Sequence, residues 1–144
     1  MPLPEPIPGL VLHYSYLWHD DHLRGAEEGS KNRPCVIILA VETEEGQHVV
    51  TVVPVTHTPP VAPEDAVEIP STTKHRLGLD GDRSWVVLCE ANRFLWPGFD
   101  VRPVPGASSP NYSYGVLPPG FFRQIRDRFM VRVHSRPPRV ASRE

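Results

Sequence analysis

The sequence predicts a mainly β protein with one C-terminal helix: an antiparallel barrel or half-barrel that the helix closes at one end. Three observations carry this. β-branched apolar runs recur between turn-rich stretches, the 18 prolines gather at segment ends, and a single apolar stripe of four-residue spacing lies near the C-terminus. So many prolines exclude a mostly helical chain, and at segment boundaries they punctuate rather than disrupt. With 144 residues the chain fits one domain, residues 1–144. Residues 1–8 read as a proline-rich extended lead-in and residues 134–144 as a flexible basic tail.

Each element follows from its pattern. Leu10, Leu12, Tyr14 and Tyr16 share one parity, the period-2 signature of a half-buried strand. Residues 19–32 are polar with two glycines, a long loop. The run from Pro34 to Val41 reads as a strand buried on both faces. Gly46 supplies the turn into a second β-branched run, His48 to Val55, so the two form a hairpin. Pro54 cannot donate to a ladder and marks where this strand leaves the sheet or sits on an edge. Residues 57–66 read as a loop, Ala66 to Ile69 as a short strand, and Ser71 to Asp82 as a turn-rich link. Trp85 to Ala91 is a strong strand whose apolar pattern runs on to Trp96, and Tyr112 to Leu117 is a short one. From Pro118-Pro119, suited to a first helical turn, Phe121, Ile125, Phe129 and Val133 recur every four residues with arginines on the other faces.

Composition narrows the setting. Cys35 and Cys89 both lie in apolar runs, which favours buried thiols in a reducing compartment over a disulfide. No apolar run approaches the roughly 20 residues of a membrane span, and the N-terminus lacks signal-peptide features, so the expectation is a cytoplasmic protein. The net charge of −2 hides an asymmetry: from Arg123 onward seven arginines face Asp127 and Glu144, whereas residues 1–122 carry eight basic and fifteen acidic side chains. A basic segment suits an anionic partner, and a solvated helix face is the plainer account.

The chemistry-bearing residues sit at strand ends. Lys31-Asn32-Arg33-Pro34 enters the first buried strand and Pro54-Val55-Thr56-His57 leaves its partner. In an antiparallel hairpin these ends are neighbours, so Arg33 and Thr56 share one rim of the sheet. Arg donates parallel hydrogen bonds to phosphate, Thr adds a third, and His moves a proton near neutral pH. Singly, each has a plainer role: a solvated strand end, a turn hydrogen bond, a surface histidine. The cluster His19-Asp20-Asp21-His22 has the residue types of a metal site but not its spacing, so it reads as a solvated loop and no metal is expected.

In order and spacing, K-N-R-P-C-V-I-I-L (31–39), V-V-P-V-T-H (52–57) and G-L-D-G-D-R-S-W-V-V-L (78–88), followed by the closing helix, resemble the MazF/PemK family of toxin–antitoxin toxins across about residues 9–133. The resemblance implies an SH3-like antiparallel β-barrel (CcdB/PemK-like) with a C-terminal helix, a homodimer, and an antitoxin protein as partner. It also implies a metal-free, cofactor-free endoribonuclease that cuts single-stranded RNA through attack by the ribose 2′-hydroxyl. Carried over by position, Arg33 and Thr56 take the catalytic and phosphate-binding roles. His57 is the first choice for the base that takes the 2′-proton and Glu90 the second. Lys31, Asn32, Arg93 and Trp96 are the expected RNA contacts, Trp96 as a stacking platform. The sequence departs from the family pattern at C-E-A-N-R-F-L-W-P-G (89–98), where Arg93 stands near the position of a family arginine. The competing functions are a non-catalytic RNA- or protein-binding module of the same fold and, third, a gyrase-directed toxin acting through C-terminal residues.

Overall fold

The structure, a computed structural model, describes residues 3–19, 32–106 and 111–143. Its strands are β1 (Leu10–Tyr14), β2 (Arg33–Glu42), β3 (His48–Thr56), β4 (Ala66–Glu68), β5 (Trp85–Val87), β6 (Glu90–Leu95), β7 (Ser113–Val116) and β8 (Arg139–Arg143). The helices are α1 (Ser71–Arg76) and α2 (Pro119–Ser135), and a 3-10 turn spans Pro63–Asp65. The hairpin of β2 and β3 is the spine, with Gly46 at φ +80° in its turn, a backbone setting that glycine adopts without steric cost.

Strand order runs β4-β5-β3-β2-β1-β7, with β6 branching off β3 and β8 pairing β6. The ladders do not close into a ring among the described residues. The expected mainly antiparallel sheet with a C-terminal helix is present as a branched sheet, antiparallel except where β8 runs parallel to β6. The branch arises on β3, whose Val49–Val52 pair with β6 while Val55 and Thr56 pair with β5. Pro54 falls in the gap between these two ladders, where its missing N–H breaks no bond. The sequence placed this proline at an edge or exit; it sits instead at a switch between two partner strands.

Both faces of the spine are buried. On one, Val11, Val36, Val53 and Val55 pack with Leu117, Phe121 and Ile125, so the stripe of α2 covers this face as its spacing predicts. On the other, Leu10, Leu12, Tyr14, Tyr16, Cys35, Ile37, Val50, Val52 and Phe94 form a second cluster. A bulge at Ile38 shifts the β2–β3 register, and beyond it Leu39 and Val41 are exposed.

Three further expectations are corrected. The link read from Ser71 to Asp82 contains α1, a six-residue helix. The strand read from Trp85 to Ala91 breaks at Leu88-Cys89 into β5 and β6. Residues 139–143, read as part of a flexible basic tail, form β8, where Ala141 is buried and the Arg143 guanidinium pairs with Asp100 at 2.9 Å. Arg132 is likewise structural, buried and bound to Asp65 at 2.9 Å, and Arg128 donates to the carbonyl of Pro63 at 2.6 Å. Much of the C-terminal positive charge thus ties the helix and last strand to the sheet.

Candidate functional site

The β2–β3 register fixes the site. Cys35 lies opposite Pro54 and Val36 opposite Val53, so the same register carried to the strand ends sets Arg33 opposite Thr56. Arg33 Nη1 donates to the Val55 carbonyl at 3.4 Å, a long bond that leaves most of the fork unengaged. The guanidinium lies over the Trp18 ring, 4.8 Å from its centroid, and Trp18 packs edge-on against Tyr16. Burial pulls the Arg33 pKa below the ordinary arginine value, although arginine stays protonated. Its Nε has no hydrogen-bond partner, and no carboxylate among the described residues pairs with it. A half-buried cation in this state is poorly solvated, which favours the arrival of an anion.

Two hollows meet at Arg33, Thr56 and His57. The wider, about 580 Å3, is lined by those three with Trp18, Pro60, Val61, Val87 and Cys89 among others. The narrower, about 180 Å3, adds Asn32, Lys74, Asp80 and Ser84. Thr56 Oγ1 accepts the Thr58 N–H at 3.2 Å, which leaves its own proton free to donate. His57 Nε2 lies 2.8 Å from Asp80 Oδ2. Lys74, buried on α1, donates to Asp80 Oδ1 at 2.6 Å, to Ser84 Oγ at 2.7 Å and to the Asp82 carbonyl. Burial would raise the Asp80 pKa, but the hydrogen bonds and charges of Lys74 and His57 outweigh it and hold the carboxyl below the usual aspartate value.

Of the expected residues, Asn32, Arg33, Thr56 and His57 come together, and Lys31 lies outside the described residues. Glu90 does not join them: it is buried, lines neither hollow, and its Oε1 accepts from Tyr16 Oη at 3.1 Å and from the His19 N–H at 2.9 Å. Arg93 points out from β6 and donates to Ser142 Oγ at 3.0 Å, away from either hollow. Trp96 packs against Phe94 in the second core cluster, so the aromatic beside the site is Trp18. Asp20, Asp21 and His22 lie outside the described residues. His57, Asp80 and Asp82 do bring ligand atoms within 4.8 Å of one another, but the Lys74 ammonium already sits against Asp80 and the Asp82 carbonyl and competes with any cation there.

Sequence reasoning missed Lys74, Asp80 and Ser84, and favoured Trp96 over Trp18 as the stacking platform. Lys74 and Asp80 come from the link that hides α1, and Ser84 follows it just before β5. Trp18 ends the aromatic series Tyr14, Tyr16, Trp18, and that parity was the available signal for its place beside the strand rim.

No helix among the described residues is long and apolar enough to cross a membrane. No curated protein and no solved structure gives a significant match to the chain. The model of the PemK-like, MazF-like toxins of type II toxin–antitoxin systems matches residues 16–94. That span is more than half of the chain and holds Arg33, Thr56, His57 and Asp80, and the protein therefore belongs to this toxin family.

Proposed function

We propose that the protein is a metal-independent endoribonuclease that cuts single-stranded RNA in the cytoplasm, acts as a homodimer and is neutralised by an antitoxin protein. The carrying observation is the half-buried Arg33 guanidinium, unpaired with any carboxylate among the described residues, facing a hydroxyl and an imidazole at one strand rim. A phosphodiester fits that rim. Arg33 binds the two non-bridging oxygens and stabilises the charge that grows on them at pentavalent phosphorus. Thr56 donates a further hydrogen bond. His57 takes the proton of the 2′-hydroxyl as its oxygen bonds to phosphorus. The bond to the 5′-oxygen then breaks, solvent supplies that oxygen with a proton, and the products are a 2′,3′-cyclic phosphate and a 5′-hydroxyl. The Trp18 side of the wider hollow offers an aromatic face to an adjoining base.

The test uses a single-stranded RNA in EDTA, with product ends read by mass spectrometry. Cyclic phosphate ends, and loss of cutting when the nucleotide at the cut carries a 2′-deoxyribose, are expected. Cutting of the deoxy-substituted strand at an equal rate contradicts the mechanism, and binding without cutting returns the protein to the non-catalytic module.

A further inference from the structure

The proposed chemistry leaves unused the best-connected polar group in the site, the chain from Lys74 through Asp80 to His57. An ionised carboxylate only accepts hydrogen bonds. Asp80 Oδ2 lies 2.8 Å from His57 Nε2, so Nε2 carries the ring proton and the lone pair of the neutral imidazole is left on Nδ1. The other oxygen, Oδ1, receives the Lys74 ammonium at 2.6 Å and the Asp82 N–H at 3.2 Å. Lys74 itself is buried and held by Ser84 Oγ and the Asp82 carbonyl. Asp80 is therefore gripped from one side and presents its free oxygen to the histidine.

We infer that Asp80 is a positioning residue which locks His57 in the Nε2–H tautomer, so that Nδ1 is the atom that accepts the proton, and that Lys74 is the fixed cation that orients Asp80. The consequence for RNA cutting rests on the nuclease reading; the tautomer does not. In the step itself the 2′-hydroxyl proton passes to Nδ1, the 2′-oxygen bonds to phosphorus, and the resulting imidazolium lies against the Asp80 carboxylate.

The arrangement makes an unusual demand on Asp80→Asn. The amide has one oxygen, and the Lys74 ammonium, which can only donate, claims it. The amide N–H2 then faces Nε2, which has to become an acceptor, and the ring proton moves to Nδ1. Asp80→Asn thus inverts the tautomer rather than merely loosening it.

The experiment is long-range 1H–15N correlation NMR on the full chain labelled with 15N-histidine, above about pH 8 where imidazole is neutral. The His57 signals are assigned by their loss in His57→Gln. The wild type is expected in the Nε2–H form and Asp80→Asn in the Nδ1–H form, with cutting reduced about 10²- to 10⁴-fold. Adding Asp80→Asn to His57→Gln is expected to cost nothing further, and Asp80→Glu to restore the wild-type tautomer and part of the rate. A wild-type Nδ1–H form, or an unchanged tautomer in Asp80→Asn, overturns the inference. If Asp80→Asn fails to fold, the wild-type tautomer decides alone. Should the tautomers behave as expected while the wild type cuts no RNA, the lock stands and the nuclease reading falls.

Discussion

Arg33 and Thr56 were legible in the sequence because hairpin pairing is arithmetic: once the two β-branched runs are paired, the residue entering one strand meets the residue leaving the other. Lys74 and Asp80 were not, because their meeting depends on the path of a link rich in glycine and aspartate, which no periodicity encodes. Glu90 does not line either hollow for a related reason: strand-end position said nothing of the Tyr16 hydroxyl that meets it across the sheet. Two predictions belong at this scale. Thr56→Val should slow cutting about 10²-fold, the usual loss for one transition-state donor. It should leave stability nearly intact, because its one intramolecular bond contributes about 1 kcal/mol; single-turnover rates and urea melts separate the two. The second concerns acid. The folded state holds the Asp80 carboxyl below its ordinary value, so its stabilising contribution is present above about pH 4, the unfolded value, and is lost as pH falls through the folded one. Wild type and Asp80→Asn should therefore differ in urea midpoint at pH 6 and converge towards pH 2. A gap that widens on acidification contradicts this.

Strands with β-branched alternation and the amphipathic helix α2 were readable because burial imposes a period on them, and the Leu10, Leu12, Tyr14, Tyr16 parity does fall in one cluster. α1 is too short to show a period, and β8 reads R-V-A-S-R, a polar segment whose burial comes from partners elsewhere. Ala141 pairs with Asn92 of β6, and the Arg143 guanidinium meets Asp100, the Ser15 carbonyl, Asn92 Oδ1 and the Tyr14 ring. Deleting residues 139–144 should accordingly destabilise the fold by several kcal/mol, since it unpairs the outer side of β6 and removes the buried Arg143–Asp100 ion pair. A flexible tail would be removed at no cost, so thermal melts of the truncated chain discriminate directly. Ile125→Ala, at the centre of the α2 contact, should cost about 2–5 kcal/mol.

At the scale of the whole molecule, the sheet branches because β3 spends its two halves on different neighbours, a division invisible to pattern reading. The charge asymmetry also changes meaning. Arg132 and Arg143 are buried in ion pairs and Arg128 grips the turn before β4, so three of the seven C-terminal arginines hold the fold together, while Arg123, Arg126, Arg136 and Arg139 stay exposed. On the proposed reading, RNA meets a molecule of net charge −2 through the few cations that line the two hollows, chiefly Arg33. The salt dependence of binding should be shallow, with log K falling against log salt at a slope of about −1 to −2, since each phosphate neutralised on a single strand contributes roughly −0.7. A slope near −5 would place the C-terminal arginines on the RNA after all.

The most direct measurement pairs affinity with rate for Arg33→Ala. A 2′-O-methyl oligonucleotide, which lacks the nucleophile, is titrated by fluorescence anisotropy while the matching RNA is followed for cutting in EDTA. The account predicts a folded variant that binds the oligonucleotide more weakly and cuts the RNA at least about 10²-fold more slowly. Unchanged binding and cutting would show that the guanidinium at this rim holds no phosphate.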